Sequence, residues 1–403
     1  MLESILIRDQ KGSVGNMVDL GSLAEALIYY GEVRVLAKKY IIEELLLKIG
    51  PGPLIRLLET GILKLIYEFD MIGIHTRSNE NKDEIHSPVI FHAVNDEPDE
   101  AFRNLLFSLT GQSGKSRRIA KKIQSLVKII DRNDDLINAF YNDLDNKEYI
   151  NNSIKELLRL YVPEYTIPHS FNFQVKREDK SFKIATNLDF QEINNFYHLR
   201  IPKSDSSIAN AYLMNHLLDA RENSRLCAEF KSDIYIDSIN RKLLELCFSS
   251  IIQKTDRNIK EIEIFQNFNF ENSKAIREAV NSGHINFLDI VKLVEKSLKF
   301  KEWISEKADD HELIKEYFKE VNSGSLIDKI PGKTVRWSFF TTAGFIIGSA
   351  VESGLVGTGA GIALSAFDAF VLDLIAKGWK PNLFIDSINR VFKYITNSCA
   401  LST

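Results

Sequence analysis

The period of apolar and polar residues changes several times along this chain, and each change marks an element. Residues 19–31 (DLGSLAEALIYYG) carry apolar positions at helical spacing. Ser22 and Glu25 stand three apart, the spacing of a capping box, and Gly31 is placed to close the helix. Residues 32–37 (EVRVLA) alternate as a short strand does. Amphipathic helices are predicted at 39–49 and 53–59, separated by Gly50, Pro51 and Gly52. Residues 62–75 are β-rich and suited to pair with 88–94 across the polar stretch 77–87.

Helical spacing takes over across 99–162. The period changes again at 168–190: Phe171, Phe173 and Val175 alternate, a charged turn Arg177-Glu178-Asp179-Lys180 follows, and Phe182 and Ile184 resume the alternation. That is a hairpin signature. Helical spacing returns at 207–252 and at 273–321, where Ile276, Val280, Ile290, Leu293, Val294 and Leu298 mark buried stripes. The predicted fold is mostly α with α+β parts, a helical body carrying short β-hairpins. Its expected divisions are an α/β domain at 1–98 and a mainly helical body at 99–330. A hydrophobic helical hairpin at 331–380 and an amphipathic C-terminal helix at 381–403 complete it.

The hydrophobic hairpin has the most distinctive pattern. Residues 337–351 form an uncharged run of 15, Glu352 follows, and residues 353–367 form a second uncharged run of 15. An upright helix needs roughly 20 apolar residues to span a bilayer. Residues 355–374 reach that length if Asp368 and Asp373 are tolerated, and the first leg draws on 334–336 with Arg336 snorkelling. Gly344 and Gly348 make one GxxxG, Gly357 and Gly361 another. In lipid such glycines let helix backbones approach closely. Lys329, Lys333 and Arg336 precede the segment, and Lys377 and Lys380 follow it. The positive-inside rule keeps both ends in the cytoplasm, with the Glu352 tip facing away. Trp337 and Trp379 stand at the two ends, suited to the interface. Thr358, Gly361, Ser365 and Asp368 step by three, four and three, one helical face. Ser338, Thr342, Ser349 and Glu352 share a face of the first leg, interrupted by Phe345. A charge at the bilayer centre costs roughly 2.5–3.5 kcal/mol, so these stripes are expected to face a water-lined lumen between subunits. The alternative is a helical hairpin buried at the centre of a soluble protein, with Asp368 hydrogen-bonded.

A second feature is cationic. Lys115, Arg117, Arg118, Lys121, Lys122 and Lys128 occur without an acid up to residue 130, and Arg132 follows Asp131. Ile119, Ile123, Leu126 and Ile130 supply the apolar face. The leading GQSGKS resembles a phosphate-binding loop, but Leu109 stands where that motif needs glycine. A lone GxxG is likewise too little for a KH domain. Backbone N–H groups at the helix start and cations along it suit phosphates. The alternative is a solvated face balanced by Asp131, Asp134 and Asp135.

Composition narrows the classes further. The chain has 403 residues, 44% hydrophobic and 26% charged, enough for a substantial core. Its net charge of -4 excludes a generally basic nucleic-acid coat. Cys227, Cys247 and Cys399 form no metal-ligand pair and fit a reducing cytosol. The first residues show no signal-peptide pattern. His75, His86 and His92 converge only if their hairpin forms, and their spacing matches no zinc motif. Asp256, Glu261 and Glu263 read as an exposed acidic strand rather than nuclease carboxylates. No GxSxG or HExxH occurs. The expectation is a protein without catalytic residues, metal or cofactor.

Five stretches carry a resemblance. They are DLGSLAEALIYYGEVRVLAKKYIIEELL near the start, NAYLMNHLLDARENSRLCAEFKSDIY at 210–235, AIREAVNSGHINFLDIVKLVEKSLKFKEWI at 275–304, SLIDKIPGKTVRWSFFTTAG at 325–344 and DAFVLDLIAKGWKPNLFI at 368–385. Together they resemble a largely uncharacterised family of bacterial proteins over almost the whole length. The layout is also similar to the membrane effector of the Hailong anti-phage system. That resemblance implies a cytosolic body, a short membrane segment and an oligomeric channel. It also implies gating by an oligodeoxyadenylate made by a partner nucleotidyltransferase. The expected function is therefore a homo-oligomeric, pore-forming effector of the bacterial inner membrane, with a nucleotide or single-stranded oligonucleotide as its signal. The rival expectation is a soluble nucleic-acid-binding or regulatory protein whose glycine-rich hairpin is its core.

Overall fold

A computed structural model describes residues 2–8, 19–68, 70–80, 83–92, 98–110, 113–130, 134–202, 206–253, 280–283, 285–305 and 383–386. The chain opens with strand β1 (Leu2–Arg8), then helix α1 (Leu20–Tyr29), β2 (Tyr30–Ala37), α2 (Lys39–Lys48), α3 (Pro51–Glu59) and β3 (Leu63–Glu68). A hairpin of β4 (Asp70–Ser78) and β5 (Glu84–His92) follows, then α4 (Pro98–Thr110), α5 (Gly114–Gln124) and β6 (Lys128–Ile130). Helices α6 (Asp134–Leu144) and α7 (Lys147–Tyr161) lead to a second hairpin, β7 (Phe173–Glu178) and β8 (Ser181–Thr186). Next come α8 (Phe190–Arg200), α9 (Asn210–Phe230), β9 (Asp233–Asp237) and α10 (Ser238–Gln253). The last described elements are α11 (Phe287–Ser305) and β10 (Leu383–Asp386).

Six of these strands form one parallel sheet, in the order β10-β9-β1-β2-β3-β6. A parallel sheet is covered on both faces, so its strands are rich in apolar residues on both sides. Alternate positions separate cleanly here. Ile5, Ile7, Val33, Val35, Leu63 and Leu65 enter one apolar core with α1, α2, α3, α4, α5 and α11. Leu6, Leu36, Ile66 and Ile234 enter the other, with α6, α7, α8, α9 and α10. The result is a three-layer α/β/α arrangement. The body is thus mixed α/β, and its sheet takes strands from both sides of the division expected at residue 98.

The other four strands form an antiparallel sheet, ordered β4-β5-β8-β7. Two hairpins form where the sequence predicts them, with corrected bounds. Leu63–Glu68 joins the parallel sheet instead. Asp70–Ser78 pairs with Glu84–His92 and so takes in part of the stretch read as a polar connection. Of the charged turn only Asp179 and Lys180 lie between β7 and β8. The two hairpins join at a single residue pair, His86 opposite Phe182. Several local expectations are corrected. Asp19, not Ser22, caps α1, its carboxylate accepting from the Ser22 N–H at 3.1 Å. Gly31 lies in strand β2, because the helix passes straight into the strand at Tyr30. Helix α3 begins at Pro51 rather than 53: Gly50 takes φ +86° and Pro51 fills the first helical position, where a missing N–H does no harm. Leu383–Asp386 is strand, not part of a terminal helix, because it pairs in parallel with β9.

Candidate functional site

The expected ligand-binding cations lie on α5. Ser113 caps this helix, its hydroxyl accepting from the Ser116 N–H at 3.1 Å. No acid occupies the first turn, so nothing there opposes an anion at the positive helix end. Ala120 and Ile123 are buried in the core, which turns Lys115, Arg117, Arg118, Lys121 and Lys122 to solvent. The structure therefore places all five on exposed positions of one helix. Lys122 differs from the rest, pairing with Glu59 of α3 at 2.7 Å. Lys128 is not on this helix: it belongs to β6, with its ammonium 5.2 Å from the Phe230 ring centroid. There it borders a cleft of about 220 Å³ with Arg225, Glu222 and Glu229. Gly111, Gln112 and Arg132 lie outside the described residues.

Doubly wound sheets commonly bind ligands beyond the carboxyl ends of the strands where strand order reverses. Here that point lies between β1 and β9. The helix after β1 starts there, and in dinucleotide-binding folds it receives a phosphate. In this chain protein groups already occupy it. The Gly21 N–H donates to Asn281 Oδ1 at 2.9 Å, the Ser22 N–H donates to Asp19, and Asn281 Nδ2 donates to Asp19 Oδ1 at 2.7 Å. A carboxylate at the helix start repels a second anion. This end of α1 is therefore closed to phosphate in this conformation.

Beside it lies a buried ionic layer that sequence periodicity gave no sign of. Arg8 at the end of β1 pairs with Glu222 and donates to Asn223 Oδ1 at 2.5 Å. One residue earlier on α9, Arg221 grips Asp143 of α6 with two hydrogen bonds, one of them 2.7 Å long. All five side chains are buried. The run Asp-Ala-Arg-Glu-Asn in α9 looks like a solvated helical stretch. It is buried because α9 fills the layer between the sheet and α6, α7 and α10. Arg34 of β2 donates to the Phe230 carbonyl at 2.9 Å, placing a cation at the C-terminal end of α9.

The histidines do not assemble. His86 and Thr76 face each other on the core side of the hairpin, and their Nδ1···Oγ1 distance is 2.9 Å. His75 faces Ser87 on the opposite side. Burial lowers the His86 pKa, against a smaller upward influence from Glu84. Among the described residues no three His, Cys, Asp or Glu side chains converge as a metal site. Likewise among the described residues, no helix is long and apolar enough to cross a membrane. The expected pore residues Gly344, Gly348, Glu352, Gly357, Gly361, Ser365 and Asp368 lie outside them, as do Asp256, Glu261 and Glu263.

No family model, curated protein or solved structure matches the chain.

Proposed function

We propose that this chain is a signal-responsive membrane effector of bacterial anti-phage defence. An α/β body receives an anionic signal, and a hydrophobic excursion assembles as a homo-oligomeric pore that depolarises the inner membrane. The observation that carries this reading joins sequence to topology. The hydrophobic residues 337–376 belong to the connection between two adjacent parallel strands, β9 and β10. Both ends of that connection are thus held by one body: α10 follows β9 directly, and β10 returns to the β9 edge. An excursion that leaves and re-enters one cytoplasmic body crosses a bilayer an even number of times. The hairpin pattern, with Glu352 at its tip and cations at both ends, has that form.

The signal is a nucleotide or short single-stranded oligonucleotide, which a nucleotidyltransferase encoded alongside would supply. Its support is the exposed row Lys115, Arg117, Arg118 and Lys121 on α5, in a chain whose net charge is -4. Phosphates interact with such a row without base specificity. The closed α1 start favours α5 over the usual phosphate position of this fold class.

Two measurements test the proposal. Carbonate-washed membranes should retain the chain, whereas a protein whose hairpin is an internal core would stay in the supernatant. Purified protein in planar bilayers should conduct when activated. Asp368→Asn should then shift the reversal potential under a salt gradient, because a carboxylate in the path favours cations. Absence of conductance from the activated protein would end the pore proposal.

A further inference from the structure

The solvent side of the antiparallel sheet departs from the usual rule. A sheet packed on one face ordinarily turns polar residues to water on the other. Here the core face is regular: His86, Phe173 and Phe182 are buried. The outer face carries Met71 directly opposite Phe91, both exposed, at 49% and 42%. Val89 lies beside them, paired with Gly73. Gly73 matters here because the Phe91 ring lies across it: a Cβ at Gly73 would stand 3.3 Å from Phe91 Cε2. The aromatic ring thus packs against Gly73, and Asn215 of α9, whose Oδ1 would lie 3.5 Å from the same Cβ, borders it.

Two residues further along β4 the same face becomes polar. His75 faces Ser87, and Arg77 comes next on the same side. The β7–β8 turn adjoins this end of the face, with Asp179 in the left-handed region at φ +48°. It borders an open depression of about 360 Å³, with His75, Arg77, Ser87 and Val89 on one wall and Glu178, Asp179, Lys180 and Ser181 on the other. That volume suits a small organic ligand. Among the described residues neither Arg77 nor Lys180 has an ion-pair partner, whereas Glu178 in the same wall is paired with Lys183 at 3.3 Å.

We infer that this face binds a small aromatic anion. A planar ring system lies on the shelf of Phe91, Gly73 and Val89, and its phosphate or carboxylate reaches Arg77 and Lys180. The dimensions agree. Strand residues rise roughly 3.4 Å each, so Arg77 lies about 14 Å along the strand from Gly73. Its long side chain reaches back over part of that distance, leaving room for one fused ring system. Aromatic faces attract stacked rings, and unpaired guanidinium and ammonium groups attract oxyanions. The site is separate from the α5 cations. A physiological role for it as the sensor rests on the proposed signalling function, whereas binding itself does not.

Calorimetric titration of the purified full-length protein in detergent tests it. Three probes are used: adenosine monophosphate, naphthalene-2-carboxylate and ringless ribose 5-phosphate. Either aromatic probe should bind at up to millimolar concentration. Its affinity should fall at least about fivefold in Phe91→Ala and in Arg77→Glu. Both positions are exposed, so neither variant threatens the fold. Binding of adenosine monophosphate alone would identify phosphate as the preferred anion, and binding of naphthalene-2-carboxylate alone would identify carboxylate. Ribose 5-phosphate should bind more weakly and be indifferent to Phe91→Ala. Absence of saturable binding of both aromatic probes, or equal affinity in wild type and either variant, would overturn the inference. No membrane enters this readout, so its failure and that of the pore are distinguishable.

Discussion

On the α9 side of the sheet, buried charged side chains stand within an otherwise apolar core. Arg221 and Asp143 are 0% and 1% exposed, so neither charge is offset by water. Arg221→Met leaves Asp143 buried without its guanidinium, and removing one partner of such a pair costs about 3–5 kcal/mol. The double variant Asp143→Leu/Arg221→Met should recover much of that loss in urea denaturation, since an apolar pair of similar volume replaces the ions. A single variant within about 1 kcal/mol of wild type would show that the pair is solvated. His86 makes a pH-dependent prediction. Its folded pKa lies below the unfolded value of about 6.5, because burial disfavours the imidazolium. The unfolded chain therefore takes up the proton first. The His86 contribution is fully present above about pH 6.5 and declines as pH falls through the folded pKa. The drop in thermal stability between pH 7 and pH 5 should be smaller in His86→Phe than in wild type. An equal drop would place the imidazole in contact with water.

At the scale of elements, the prediction belongs to α5. Arg118→Glu/Lys121→Glu reverses two exposed cations without disturbing Lys122, which Glu59 holds. Short-oligonucleotide binding should weaken, and the wild-type affinity should fall steeply with salt, by a log–log slope of about 0.7 per neutralised phosphate. Flat salt dependence would remove α5 from recognition. The same element shows what the sequence made legible. Its cations and apolar stripe differ at 3.6-residue spacing, so its helical form and exposed face followed directly. The β7–β8 hairpin was equally legible, because one face is core and the other water and the period is two. The parallel strands β1, β6 and β9 were not. β1 is buried on both faces and lacks that alternation, β6 and β9 are only three and five residues long, and short apolar runs such as SILI in β1 or LVKII before α6 resemble pieces of helix. Missing those strands also hid the sheet that unites residues on both sides of 98. The exposed Phe91 and Met71 escaped for a related reason: two apolar residues on a strand carry no mark of which face they occupy until the register is known.

For the whole molecule, the decisive fact is that residues from the two ends of the chain share one sheet. Strand β9 lies between β1 and β10, so the sheet holds both sides of the connection that contains residues 337–376. Pulling β10 away would break a parallel ladder running from Leu383 opposite Ile234 to Asp386 opposite Asp237. The body therefore holds both sides of the connection that carries the apolar runs, and the basic residues Lys333 and Lys380 fall just outside those runs. The most direct test is thiol labelling of intact cells with a membrane-impermeant maleimide, on single cysteines at 333, 352 and 380 in a Cys399→Ser background. Cys227 and Cys247 are buried and should not react. A membrane hairpin requires that Glu352→Cys be labelled from outside, while Lys333→Cys and Lys380→Cys are labelled only after the cells are permeabilised. Three positions that all require permeabilisation, with the protein recovered in the soluble fraction, would contradict it.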